Sequence, residues 1–176
     1  VLSARIENAV FQQDQTSIKF DFVITNHSSG IIRFAERRNS WGARQWSIQL
    51  TNSDGSKFNF INPQYIYYSN YLSLITLQPG NEHRSRFTLT LGHPSSIAEC
   101  MDVFSTTIQG QREPTAHFSF PLRLVGTFTV LPQTGDTYPK IEFGDTVPFS
   151  PPWTGTITTP EVIVRAEKKN PDPSGK

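Results

Sequence analysis

The stretch SIKFDFVIT, residues 17–25, decides the fold class, because its apolar and polar side chains alternate with a period of two. The positions of one parity are Ile18, Phe20, Phe22 and Ile24, and those of the other are Lys19, Asp21, Val23 and Thr25. Successive side chains of a β-strand point to opposite faces of its sheet. The stretch therefore predicts a half-buried strand with the first set facing a core.

The same alternation recurs along the chain. It is clearest in WSIQL, where Trp46, Ile48 and Leu50 share one face, and it continues in KFNFI (57–61), LSLITL (72–77), RFTLTL (86–91), HFSFPLRLVGTFTV (117–130), TGTITT (154–159) and EVIVRAE (161–167). Turn residues separate these runs. Asp54-Gly55 predicts a hairpin with a type I′ turn, because Gly tolerates positive φ. Gln78-Pro79-Gly80-Asn81 predicts a second turn.

Short strands separated by Gly, Pro, Asn and Asp predict an all-β fold, namely one antiparallel immunoglobulin-like β-sandwich over residues 1–166. One helix is expected near residues 96–104, because Ser96 and Glu99 have the spacing of a capping box. Ile97, Cys100, Met101 and Phe104 then follow at helical intervals. Residues 167–176 are charged and rich in Pro, which predicts a disordered tail or linker.

The composition and the absence of motifs argue against several classes of function. The 176 residues carry a net charge of +1, which argues against a general nucleic-acid binder. A single Cys excludes an internal disulfide and any multi-cysteine zinc site. No run approaches the roughly 18 apolar residues of a transmembrane helix. No metal-ligand spacing, cofactor fingerprint or nucleophile motif is present. We therefore expect no enzyme activity, no catalytic residues, no metal and no cofactor.

The stretch RFAERRNSWGARQW, residues 33–46, is the first candidate binding site. Trp46 shares parity with Ile48 and is predicted to lie in the core. Trp41 precedes a glycine in a predicted loop, beside Arg37, Arg38 and Arg44. Trp and Arg are enriched at interface hot spots, so this loop is predicted to bind a partner. The alternative is that Trp41 folds back and plugs the end of the sandwich.

The stretch NPQYIYYSNY, residues 62–71, is the second candidate. Its four tyrosines, Tyr65, Tyr67, Tyr68 and Tyr71, suit a protein interface or stacking on sugars, since Tyr has an apolar ring and a polar tip. The alternative is an edge strand with half-buried rings. The triplet Asn26-His27-Ser28 matches an N-glycosylation acceptor in a predicted turn, and the sequence leaves its use open.

A family resemblance rests on three segments: KFDFVITNHSSGIIRF (19–34), NSDGSKFNF (52–60) and LITLQPGNEHRSRFTL (74–89). Their order of strand, Asn-rich turn, strand, hairpin and final apolar strand resembles the immunoglobulin-like sandwich of the bacillus intracellular proteinase inhibitor family, over about residues 1–92. The resemblance implies the fold more than an activity, and no inhibitory loop maps onto a residue here.

The sequence thus predicts a non-catalytic binding or interaction module of a secreted or cell-envelope protein. A protein partner is the first expectation. A proteinase inhibitor and a carbohydrate-binding domain are the alternatives, and a cytoplasmic location and any oligomeric state stay open.

Overall fold

The computed structural model of the chain describes residues 1–12, 17–35, 45–61, 74–90, 103–106, 118–130 and 153–166. The strands are β1 (Leu2–Gln12), β2 (Ser17–Asn26), β3 (Ile32–Ala35), β4 (Trp46–Thr51), β5 (Lys57–Ile61), β6 (Leu74–Leu77), β7 (Glu82–Thr90), β8 (Val103–Thr106), β9 (Arg123–Val130), β10 (Gly155–Thr158), β11 (Val162–Ile163) and β12 (Arg165–Ala166). The predicted strand at 17–25 is confirmed as β2. The predicted tail at 167–176 lies outside the described residues.

The described strands other than β3 and β6 form one continuous ten-stranded sheet, which we divide at β8 into two mostly antiparallel halves, called sheet I and sheet II. Sheet I has the order β12-β1-β2-β7-β8, and sheet II has the order β8-β5-β4-β9, with β10 and β11 both paired to the remaining edge of β9. β3 and β6 form a separate two-stranded ribbon. The predicted all-β, largely antiparallel character is confirmed. Two short pairs, β1 with β12 and β7 with β8, are parallel.

The two sheets are joined on both sides by short segments that change partner. In β8, Val103 and Phe104 pair with β7, whereas Ser105 and Thr106 pair with β5. On the other side, β11 pairs with β9, and β12, two residues later, pairs with β1. These crossovers tie the first strand of the chain to the last described one.

Trp46 lies at the centre of the core, 1% exposed, as predicted. Its ring contacts Phe22 and Phe87 of sheet I, at centroid distances of 4.8 and 5.2 Å, and Phe128 of sheet II at 4.5 Å. Close approach of the sheets also requires Gly126, since a Cβ there would collide with the Phe22 ring. The alternating residues of β2, β4, β7 and β9 therefore interdigitate as the period-two pattern predicts.

Two local predictions need correction. The hairpin after β4 is present, but its loop has three residues: the Gly55 N–H donates to the Asn52 carbonyl (3.0 Å) and the Asn52 N–H donates to that of Ser56 (2.9 Å). Only Gly55 has positive φ in this loop, at 85°, which fits a type I turn followed by a left-handed residue rather than a type I′ turn.

The second correction concerns the helix predicted near 96–104. Most of that range lies outside the described residues, but Val103 and Phe104 belong to β8, so the predicted end of the helix is wrong. A β-branched and an aromatic residue suit a pleated sheet, and pairing with Thr88 and Leu89 of β7 supplies the hydrogen bonds that a helix would otherwise provide. Tertiary pairing therefore overrides the local helical spacing.

Candidate binding surfaces

All eight predicted binding residues lie outside the described residues. They are Arg37, Arg38, Trp41, Arg44, Tyr65, Tyr67, Tyr68 and Tyr71. The described residues that flank them are nevertheless placed by the strand ladders. Ala35, which precedes the first candidate segment, pairs with Leu74, which follows the second. Ser47, three residues after segment 36–44, pairs with Ile61, the last described residue before the second segment.

The β3–β6 ribbon covers the core between these flanking positions. Phe34 is fully buried and its ring meets that of Phe128 at 5.2 Å. Alternation then turns Arg33 and Thr76, which pair across the ribbon, away from the core. Ile31, just before β3, is a large apolar residue and is 48% exposed. The ribbon thus presents an outward face next to Ala35 and Leu74, the described residues that adjoin the two candidate segments in sequence.

A charged network, which we call the ion-pair network, covers the outer face of β1, β2 and β7. It consists of Arg5, Glu7, Asp21, Glu82, Arg84 and Arg86. Arg5 Nη2 contacts Glu82 Oε2 at 2.9 Å, and Arg84 Nη2 contacts Glu7 Oε2 at 2.7 Å. Both contacts run from β1 to β7 across the intervening strand β2. Residues of β1 and β7 are thereby linked above the side chains of β2.

The network explains why β2 is not half-buried as predicted. Asp21, Val23 and Thr25 of its outer face are 3%, 0% and 8% exposed. Long arginine and glutamate side chains lie over these short ones, since their alkyl stems can cover apolar surface while the charged ends reach water. The residues of the outer face were predicted correctly, but charged side chains from the neighbouring strands cover them.

Asp21 is the most buried carboxylate of the network. It accepts hydrogen bonds from Asn8 Nδ2 (2.9 Å), Arg84 Nη1 (3.2 Å) and Arg86 Nε (3.1 Å). Burial by itself raises the pKa of Asp21, but the hydrogen bonds from Asn8 and Arg86 and the nearby guanidinium charges outweigh burial, so the pKa is lowered. The carboxylate therefore stays ionised at neutral pH.

The pKa values of the two glutamates are lowered as well. A hydrogen bond from Arg5 lowers the pKa of Glu7 and of Glu82, and Arg84 lowers that of Glu7 further. The pKa of Arg5 is raised above its ordinary value by the hydrogen bonds to these two carboxylates. Among the described residues, the network joins three arginines to three carboxylates, so their formal charges balance there. A period-two charge pattern, Arg5-x-Glu7 and Glu82-x-Arg84-x-Arg86, was its signal in the sequence.

The outer face of sheet II has a different chemistry. Threonine hydroxyls pair across β9 and β10, with Oγ1 to Oγ1 distances of 3.4 Å for Thr127 and Thr158 and 3.1 Å for Thr129 and Thr156. Gln49 and Asn59 pair similarly on β4 and β5, at 3.1 Å. The outer face of sheet II therefore carries neutral hydroxyl and amide groups at these positions.

Asn26, the last residue of β2, is fully buried and is hydrogen-bonded through both its side chain and its backbone. Its Nδ2 donates to the carbonyls of Gly30 (2.8 Å) and Leu77 (2.9 Å), and its Oδ1 accepts from the N–H of Ser28 (2.9 Å). Its backbone N–H donates to the Asn81 carbonyl and its own carbonyl accepts from the Gly80 N–H. The acceptor triplet is therefore in a turn, as predicted, but its asparagine joins β2, β6 and two turns.

Two serine–histidine contacts were not expected from the sequence. His27 Nε2 lies 2.7 Å from Ser3 Oγ at the surface, and His83 Nε2 lies 2.9 Å from Ser85 Oγ. These distances fit a base beside a nucleophile, but catalysis also needs access for a substrate and donors for an oxyanion. Ser85 is only 9% exposed, and the His83 ring packs edge-on against Phe34. The His83–Ser85 contact is explained by packing, and the exposed Ser3–His27 contact joins the start of β1 to the residue after β2.

Among the described ranges, no group of three or more His, Cys, Asp and Glu residues could hold a metal ion. In the same ranges, no helix is long and apolar enough to cross a membrane. No protein-family model, curated protein or solved structure matches the chain.

Proposed function

We propose that this chain is a non-catalytic binding module of a secreted or cell-envelope protein, with an immunoglobulin-like β-sandwich, and that it recognises a protein partner. The packing of Trp46 of sheet II against Phe22 and Phe87 of sheet I supports the choice of sandwich. The observation that carries the binding proposal is the ladder register. Ala35, directly before segment 36–44, pairs with Leu74, directly after segment 62–73, and Ser47, three residues after the first segment, pairs with Ile61, directly before the second.

This register supports a composite site. Arg37 is two residues from Ala35, and Tyr71 is three residues from Leu74, so short stretches of chain separate both from one pair of ladder partners. An extended chain spans at most about 3.5 Å per residue, which limits how far apart these residues can be. Connections at one end of a rigid sheet scaffold are where binding residues concentrate. Arg, Trp and Tyr are the residue types that dominate interface energies.

A comparison of two variants tests the proposal. The chain is immobilised, the retained partner is purified, and its Kd is measured for the native chain, for Trp41→Ala and for Lys57→Ala. Lys57 begins β5, beside the hairpin loop at the opposite end of that strand from Ile61. We expect Trp41→Ala to weaken binding by about 30-fold, equivalent to the roughly 2 kcal/mol of a hot spot. Lys57→Ala should leave the Kd unchanged, and equal loss in both variants would refute the assignment.

A carbohydrate ligand is the second candidate, favoured by the neutral hydroxyl and amide groups on sheet II together with the four tyrosines. Retention on a polysaccharide column, reduced by Tyr67→Ala, would establish it. A proteinase inhibitor is the third, and it rests on the family resemblance. Stoichiometric inhibition of a protease would establish that function, while titration to excess without inhibition would remove it.

A further inference from the structure

Asn26 has the sequence context of an N-glycosylation acceptor and the environment of a core residue. It is 0% exposed, and both hydrogens of its Nδ2 are directed to carbonyl groups, at 2.8 Å for Gly30 and 2.9 Å for Leu77. We infer that N-glycosylation of Asn26 and folding of this domain are mutually exclusive.

The chemistry of the modification supplies the first reason. In N-glycosylation, Nδ2 forms a bond to the first sugar carbon of a lipid-linked oligosaccharide, loses one hydrogen as a proton, and the lipid diphosphate leaves. One N–H then remains for two carbonyl acceptors. The bond to either Gly30 or Leu77 is consequently lost. The loss is unfavourable at the buried Leu77 bond, whereas Gly30 is exposed and its carbonyl also has the Ser28 hydroxyl within reach at 2.9 Å.

Space supplies the second reason. A sugar attached to Nδ2 would have to occupy the direction in which one of the two carbonyls now lies. Leu77 is itself 3% exposed and belongs to the ribbon that closes the core, so the sugar would separate β6 from β2. The backbone bonds of Asn26 to Gly80 and Asn81, at 2.8 and 3.0 Å, hold the same turn against β2 and would have to break with it.

The acceptor serine is also engaged by the fold. The Ser28 hydroxyl has two acceptors within reach, Asn26 Oδ1 at 2.7 Å and the Gly30 carbonyl at 2.9 Å. The Ser28 N–H is bonded to Asn26 Oδ1 as well. The triplet is therefore folded onto itself in a compact turn, and a transferase can engage it only before that turn has formed.

The test is expression of the full chain, behind a secretion signal, in a eukaryotic host, with glycan occupancy at each site measured by mass spectrometry. Thr156→Asn provides a matched control, since it creates an acceptor triplet with Ile157 and Thr158 on the exposed side of β10. In the protease-resistant, folded fraction we expect a glycan on position 156 and none on Asn26. Ser28→Ala removes the natural triplet while keeping the Asn26 amide, and should raise the folded yield wherever the native chain is modified.

A second variant distinguishes two reasons for low glycan occupancy of Asn26: exclusion of the transferase by folding and a poor acceptor sequence. Trp46→Ala destabilises the core away from the triplet, so the chain stays unfolded longer in the presence of the transferase. Occupancy of Asn26 should then rise several-fold, confined to the protease-sensitive fraction, while occupancy of position 156 should not change. Folded chains that carry a glycan on Asn26 and unfold at the same urea concentration as unmodified chains would overturn the inference. Equal Asn26 occupancy with and without Trp46→Ala would overturn it as well.

Discussion

Replacing Trp46 by Ala removes the largest fully buried side chain among the described residues, and the structure sets the size of the effect. The indole is 1% exposed and touches aromatic rings of both sheets, so Ala would leave a cavity between them. Large-to-small aromatic changes in a core cost about 3–5 kcal/mol, which includes the lost burial and the cavity. The indole Nε1 has no hydrogen-bond acceptor among the described residues, so its removal adds no further loss. We therefore expect Trp46→Phe to cost clearly less than Trp46→Ala.

Urea unfolding followed by circular dichroism measures both variants. With a slope of about 2 kcal/mol per molar urea, the Ala variant should unfold roughly 1.5–2.5 M earlier than the native chain. Trp41→Ala is the informative comparison, because the two tryptophans are five positions apart and were assigned different roles. A midpoint for Trp41→Ala close to the native one supports a binding role. Equal, large losses from both changes would refute the assignment of Trp41 to recognition and make it a second core residue.

Three further predictions follow from the described contacts. Gly126→Ala should destabilise the fold by about 1–3 kcal/mol in urea, because the added methyl meets the Phe22 ring, and a neutral result would contradict the close packing of the sheets. Asn26→Asp should cost about 2–4 kcal/mol, since it places an oxygen against two carbonyls, whereas Asn59→Asp on the exposed face should change the midpoint little. The carboxylates of the ion-pair network have lowered pKa values, so their contribution is present above their ordinary values of 3.8–4.5 and is lost as pH falls through the folded values. Urea midpoints should be flat between pH 7 and about 5 and fall below about pH 4, and a decline that begins near pH 6 would implicate other groups.

Features with a local cause were predictable from the sequence. The period of two placed Trp46, Ile48 and Leu50 in the core, and all three are at most 1% exposed. The turn at Gln78–Asn81 formed as expected, with the Asn81 N–H donating to the Gln78 carbonyl at 3.1 Å and Gly80 at φ 77°. In such cases neighbouring residues supply both the pattern and its hydrogen bonds.

Features that need partners distant in sequence were missed. Arg5 and Glu82 are 77 positions apart, and their contact depends on β1 and β7 flanking β2. Phe104 was predicted at a helical interval, but Phe104 and its neighbour Val103 form a strand because they pair with β7. The alternating charges are visible within each segment, but no short window of sequence shows which strands will pair.

Asn26 shows the same division within one residue. Its own triplet identified a turn and an acceptor motif, which is all that three adjacent residues can specify. Whether the amide met solvent or carbonyl groups depended on Leu77, 51 positions away. The sequence alone therefore determined the all-β class, the core-facing parities and the positions of the turns, since these depend on local periodicity and backbone freedom. The tertiary structure decided the strand order, the covering of β2 and the burial of Asn26, because strand pairing brings together groups whose separation along the chain carries no pattern.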